Sequence, residues 1–105
     1  MEPNLVSCII PVFNGELYLR EALESVFEQT YRTTEVVVVD DGSTDETPNI
    51  AASFQSRVTY IRQDNQGPAT ARNTAIRAAR GEFIAFLDCD DLWEPEKLAD
   101  RKSVV

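Results

Sequence analysis

The sequence predicts an α/β fold, a three-layer α/β/α arrangement with a mostly parallel sheet, and three observations carry that expectation. Short apolar, β-branched runs alternate with segments whose apolar residues recur every three or four positions, the pattern of βαβ units rather than hairpins. Glu35 to Val39 contains four consecutive valines, which suits a strand covered by helices on both faces. With 105 residues, 43% hydrophobic and 27% charged, the chain has the size and composition of one domain with one modest core.

The elements follow in order. Leu5 to Val12 (LVSCIIPV) is an apolar strand closed by Pro11 and the turn pair Asn14-Gly15. From Glu16 to Thr30 an amphipathic helix is expected: Leu19, Leu23, Val26 and Phe27 share one face, with Arg20, Glu21, Glu24 and Glu28 between them. Glu35 to Val39 is the second strand. Ser43 followed by Glu46 has capping-box spacing, which predicts a helix starting there and carrying Ile50, Ala51 and Phe54 inward. Arg57 to Arg62 is the third strand, and Asp64 to Pro68 a loop. Ala69 to Arg80 is an alanine-rich helix with Gly81 placed as its C-terminal cap. Glu82 to Leu87 is the fourth strand, and Glu94-Pro95 is expected to open a last helix. This alternation implies parallel strands joined by right-handed crossovers, with ligands bound outside the strands' C-terminal ends.

Composition excludes several functions. Ten basic residues against eighteen acidic ones give a net charge of -8, which argues against nucleic acid as a partner. A phosphorylated ligand would need positive charge from elsewhere, and a divalent cation is the obvious source. The absence of histidine removes Ser-His-Asp and Cys-His catalysis and His-based zinc sites. No apolar run approaches the roughly 20 residues that span a bilayer. The acidic start MEPNLVSCII does not resemble an export signal. Cys8 and Cys89 are read as buried, reduced and unbonded thiols, with Cys8 early in one strand and Cys89 at the end of another. A cytoplasmic location follows, and peripheral association with the inner face of the membrane stays open.

The chemistry is concentrated in carboxylates at two strand ends. The apolar strand FIAFL runs into Asp88-Cys89-Asp90-Asp91. If the chain stays extended, Asp88 and Asp90 point one way and Cys89 the other. Two close carboxylates resist joint ionisation unless a cation lies between them, and Mg²⁺ or Mn²⁺ prefers such oxygen ligands. The alternative is that Asp88 and Asp90 are solvated turn residues and Asp91 caps a helix. In Asp40-Asp41-Gly42-Ser43, either the polar side chains cap a helix, or one aspartate accepts hydrogen bonds from a sugar or base. In Gln66 to Asn73, Gly67 permits close backbone approach to a ligand. Arg72 either pairs with Asp64 or Glu82 or reaches a nucleotide.

Taken together, IIPVFNGELYL, VVVVDDGSTDET, NQGPATARNTAI and GEFIAFLDCDD closely resemble, in this order and spacing, the nucleotide-binding half of family 2 glycosyltransferases, over about Leu5 to Asp100. The resemblance implies a Rossmann-like half of a GT-A-type fold and a metal-assisted, inverting transfer of a sugar from a nucleotide-diphospho-sugar, UDP-sugar favoured. The acceptor would be a hydroxyl of a carbohydrate or a lipid-linked molecule, in cell-envelope polysaccharide synthesis. Pro11, Val12 and Phe13 would line the nucleotide pocket. Asp41 would contact the base with Asp40 supporting it, and Gly67 and Arg72 would lie beside base and ribose. Asp90 would be the main ligand of Mn²⁺ or Mg²⁺, with Asp88 reaching the ribose or the metal.

Members of that family continue far beyond the D-x-D, and the later half carries the acceptor site and the catalytic base. Residues 1–105 are therefore expected to be a donor-binding part truncated after the D-x-D, with the apolar surface left uncovered favouring a homo-oligomer. No residue, Asp100 included, is assigned as the base. Two other readings remain: a nucleotide-binding module without chemistry, and a phosphatase of the haloacid dehalogenase type. The latter shares D-x-D after an apolar strand. It places that strand first, however, and has Thr or Val where Leu92 stands.

Overall fold

The computed structural model describes residues 2–99. Its elements are β1 (Glu2–Val12), α1 (Leu19–Phe27), β2 (Thr34–Asp40), α2 (Thr47–Ala52), a short 3₁₀ turn (Gln55–Arg57), β3 (Thr59–Arg62), α3 (Pro68–Ala78) and β4 (Gly81–Phe86). All strand pairs are parallel, in the order β3-β2-β1-β4. The chain builds outward from β1 through β2 to β3, then returns to the other side of β1. That reversal places a crevice outside the C-terminal ends of β1 and β4.

The valine run behaves as a two-sided strand. Val36 and Val38 join Val6, Cys8, Ile10, Leu19, Leu23, Val26 and Ala51 in a core under α1 and α2. Val37 and Val39 join Ile9, Ala71 and Ala75 in a second core under α3. Each such Val, Ile or Leu contributes about 1.5–3 kcal/mol relative to exposure. The alanines of α3 have a packing purpose: Ala71 and Ala75 are fully buried and let the helix approach the sheet closely.

Four local expectations are overturned. Ser43 does not cap α2. Its hydroxyl faces back toward β1, and the helix begins at Thr47, whose amide donates to Asp45 Oδ1 at 2.9 Å, with Pro48 in the first turn. Gly81 is not a cap either. Ala79 already has extended backbone (φ -70°, ψ 139°), and Gly81 opens β4 so close to β1 that a Cβ there would lie 2.5 Å from the Leu5 carbonyl oxygen.

The chain is not extended through Asp88-Cys89-Asp90. It turns there, with the Asp91 amide 2.9 Å from the Asp88 carbonyl, so alternation of side chains does not apply. Finally, residues 95–99 form turns rather than a helix. They dock on the end of α1 through buried Gln29, whose Nε2 donates to the Glu94 carbonyl (2.7 Å) and whose Oε1 accepts from the Leu98 amide (3.0 Å). Asp100 and Ser103 to Val105 lie outside the described residues.

Both thiols are free. Cys8 lies further along β1 than expected, opposite Ala85 of β4. Burial, with a smaller contribution from the charge of Glu35, pushes it up to about 12, so it is an inert core thiol.

Candidate functional site

A cleft of about 230 Å³ opens at the C-terminal rim of the sheet, lined by Pro11, Val12, Phe13, Asp41, Pro68, Ala71, Arg72 and Asp88. Its residues come from the ends of β1, β2 and β4 and from the start of α3. Six expected site residues therefore meet at one place: Pro11, Val12, Phe13, Asp41, Arg72 and Asp88. Phe13 is half-exposed, while Val12 is buried.

Asp41 is the most constrained member. Its Oδ1 accepts from Gln63 Nε2 and from the Gln66 amide, both at 2.8 Å, and its Oδ2 accepts from the Gly67 amide at 3.0 Å. The Gln63 bond above all, with the two amides, holds its carboxyl below the usual carboxylate range against the opposing effect of burial. Asp41 is thus an ionised acceptor. Gly67 contributes through this amide, at a φ of 97° that opens α3.

Asp40, expected beside the nucleotide as support for Asp41, does not line the cleft. It is fully buried and points to the other face of the rim. Its Oδ1 accepts from the Ser43 amide (2.8 Å), and its Oδ2 from the Tyr60 hydroxyl (2.5 Å) and Arg62 Nη1 (3.2 Å). It holds the β2–α2 turn and the end of β3 together.

Sequence reasoning missed a clasp between the β1–α1 turn and the β2–α2 turn. The amides of Asn14 and Gly15 donate to Ser43 Oγ (2.7 Å) and Thr47 Oγ1 (2.9 Å), and Asn14 Oδ1 accepts from the Thr44 amide (2.8 Å). Asn14-Gly15 was legible only as a turn pair. The partners, thirty or so residues away, leave no periodic signal. Gly15 also meets the D-x-D turn: a Cβ there would lie 2.6 Å from Val12 Cγ2 and 3.0 Å from Cys89 Sγ. Gly15→Ala is expected to displace the D-x-D turn and destabilise the chain by about 1–3 kcal/mol, as overpacking does. An unfolding midpoint equal to that of the parent chain in urea titration would refute this tight approach.

Asp88 and Asp90 are exposed, and among the described residues neither is ion-paired. Cys89 between them is half-buried; burial first, then the charges of Asp90 and Asp88, push its thiol up. Among the described residues no three His, Cys, Asp or Glu side chains are grouped to hold an ion. The donor set nevertheless fits a hard divalent cation held in the usual way for Mg²⁺, by one or two carboxylates together with ligand phosphate and water. Arg72 makes no ion pair with Asp64 or Glu82 among the described residues and stays available to the cleft.

A larger cleft, about 400 Å³, lies at the opposite, N-terminal ends of the strands and includes Arg32, Arg57 and Arg80. Each arginine there has a structural partner. Arg57 stacks 3.9 Å from the Phe27 ring centre, Arg32 caps the carbonyls of Phe27 and Gln29, and Arg80 pairs with Glu35 and Glu2. The rim cleft, where Asp41, Arg72 and Asp88 meet and Arg72 and Asp88 make no ion pair among the described residues, is the candidate site.

Comparison with known proteins identifies the family. The family model for glycosyl transferase family 2 matches residues 7–101. The putative glycosyltransferase EpsH of Bacillus subtilis is 48% identical over 99 residues, which is 91% of this chain and 29% of that protein. Among solved structures, S. aureus TarS 1-349 in complex with UDP is 37% identical with a TM-score of 0.85, over 92% of this chain and 30% of that one. The mannosyltransferase PcManGT from Pyrobaculum calidifontis, in complex with GDP-Man and Mn²⁺, is 36% identical with a TM-score of 0.85, over 93% of this chain and 31% of that one. These neighbours are glycosyltransferases of the GT-A fold. The chain spans about a third of the length of the first curated relatives it matches.

Proposed function

The chain belongs to glycosyl transferase family 2, and on that premise we propose that it is the donor-binding part of an enzyme that transfers a sugar from a nucleoside diphosphate to an acceptor hydroxyl with inversion. The observation that carries the reading is the rim cleft, where Asp41, Arg72 and Asp88 meet the Pro11–Phe13 segment. The nucleoside would lie along Pro11 to Phe13 with its base edge toward Asp41. Uracil N3–H and guanine N1–H can both donate to that carboxylate, in keeping with neighbours that bind UDP and GDP-Man. Uridine diphosphate is favoured. Arg72 would reach the ribose side, and Asp88 the ribose or an ion.

Asp90, with Asp88, would hold Mn²⁺ or Mg²⁺. When bound, the ion neutralises diphosphate charge and stabilises the leaving group. The exposed carboxylates of this turn would otherwise repel a diphosphate from a protein of net charge -8. The base that deprotonates the acceptor is assigned to no residue of this chain and would come from the remainder of a longer protein. The chain by itself then binds donor and transfers slowly or not at all.

Calorimetric titration of UDP and GDP, each with Mn²⁺ and then with EDTA, tests the reading. Binding of one nucleotide that is lost in EDTA is the expected result. Equal affinity in EDTA would remove the metal from the proposal, and no binding of either by folded protein would overturn the donor site itself.

A further inference from the structure

We propose that Thr74 and Gln63 are positioning residues for Asp41, fixing which carboxylate lone pair faces the cleft and so making the site prefer bases that present an N–H. This deepens the reading of Asp41 as the base contact and rests on it.

The three side chains form a relay from helix to rim. Thr74 lies within α3, between Ala71 and Ala75, which are buried against the sheet. Its hydroxyl is 2.9 Å from Gln63 Oε1 and 3.0 Å from the Thr70 carbonyl oxygen, and Gln63 Nε2 is 2.8 Å from Asp41 Oδ1. Only the NH₂ end of an amide can donate to a carboxylate, so Asp41 dictates which way the Gln63 amide faces. Its oxygen must then face Thr74. The single Thr74 hydroxyl proton is therefore directed to Gln63, and the Thr70 carbonyl keeps its bond within the helix. The Gln63 backbone is fixed as well, its amide donating to the Asp40 carbonyl at 2.9 Å.

The consequence appears at Asp41. Gln63 Nε2 and the Gln66 amide fill Oδ1, while Oδ2 has one protein donor, the Gly67 amide. One acceptor position on Oδ2 is left, on a side chain that lines the cleft. An ionised carboxylate only accepts. Uracil and guanine carry an N–H at the corresponding edge, whereas cytosine N3 and adenine N1 are acceptors and would be repelled. Without the Thr74 hydroxyl, the Gln63 side chain loses its anchor on α3 and can swing away from Oδ1, which leaves the carboxylate held by the Gln66 and Gly67 amides alone and widens its range of orientations.

The test compares UDP and CDP affinity, with Mn²⁺, for the parent chain, Thr74→Val and Thr74→Ser; GDP and ADP replace them if the first titration selects guanosine. Thr74→Val should lower the ratio of UDP to CDP affinity about fivefold, the scale of one neutral hydrogen bond, and Thr74→Ser should restore it. An unchanged ratio, whether both affinities hold or fall together, would overturn the proposal. Gln63→Met, at a half-buried position in the loop after β3, gives the same readout if Thr74→Val does not fold. Asp41→Asn separates the levels: UDP binding unchanged in that variant removes the base contact itself. UDP binding lost there, with the Thr74→Val ratio unmoved, removes only the relay.

Discussion

Asp90→Asn is expected to weaken Mn²⁺-dependent UDP binding by about 100-fold, close to 2.7 kcal/mol, while Glu28→Gln at the end of α1 leaves it unchanged. The asymmetry follows from what each carboxylate faces. Glu28 is one of several exposed acids beside α1, solvated and screened. Asp90 lies in the turn that follows β4, two positions from Asp88 of the cleft wall, and has no cation partner among the described residues. An amide in place of that carboxylate keeps an oxygen but loses the charge that attracts a divalent ion. The same variant titrated in EDTA should match the parent chain, because the residue acts through the ion. Equal losses for Asp90→Asn and Glu28→Gln, or a loss that persists in EDTA, would remove the D-x-D from the binding site.

The fold was legible because its signals are local and repeated. Alternating strand and helix patterns, and a valine run that needs cover on two faces, leave few topologies besides a parallel sheet between helices. The described structure has that form, with Val36 and Val38 under one helical layer and Val37 and Val39 under the other. What failed was punctuation. Ser43 and Gly81 carry the residue types of caps, yet tertiary partners claim them: the Asn14 amide takes the Ser43 hydroxyl, and the tight β1–β4 contact needs the missing Cβ of Gly81. Glu94-Pro95 reads as a helix start, but Gln29 and Ser25 of the α1 region hold the chain after Trp93 in turns.

The candidate site divides in the same way. Residues at strand ends could be placed from the order of elements alone, and five of them line one cleft together with Arg72 of α3. The residues that hold them could not. Gln63 is one polar residue in a loop and Thr74 one polar residue in a helix. Their importance lies in a contact across eleven positions that no pattern announces. Asp40 and Asp41 look equivalent in sequence. Their backbones are adjacent, but consecutive residues leaving a strand face opposite ways, so one becomes cleft wall and the other becomes core.

That division makes a prediction about stability rather than binding. Asp40→Ala is expected to lower unfolding free energy by about 3 kcal/mol, the scale of breaking a buried charged network from its acceptor side. The loss leaves the Ser43 amide and the Tyr60 hydroxyl without their acceptor, and it removes the ion-pair partner of Arg62, which keeps its bond to the Ser43 carbonyl. Arg62→Ala should cost only about 0.5–1 kcal/mol, because that side chain is 47% exposed and its charge is screened by solvent. Urea titration of the two variants reads the difference. UDP affinity of the folded Asp40→Ala fraction should fall far less than that of Asp41→Asn, since Asp40 reaches the cleft only through the turn it supports. If Asp40→Ala instead kept the parent stability and lost UDP, the two aspartates would have exchanged roles, and the cleft wall would have to be redrawn around the first of the pair.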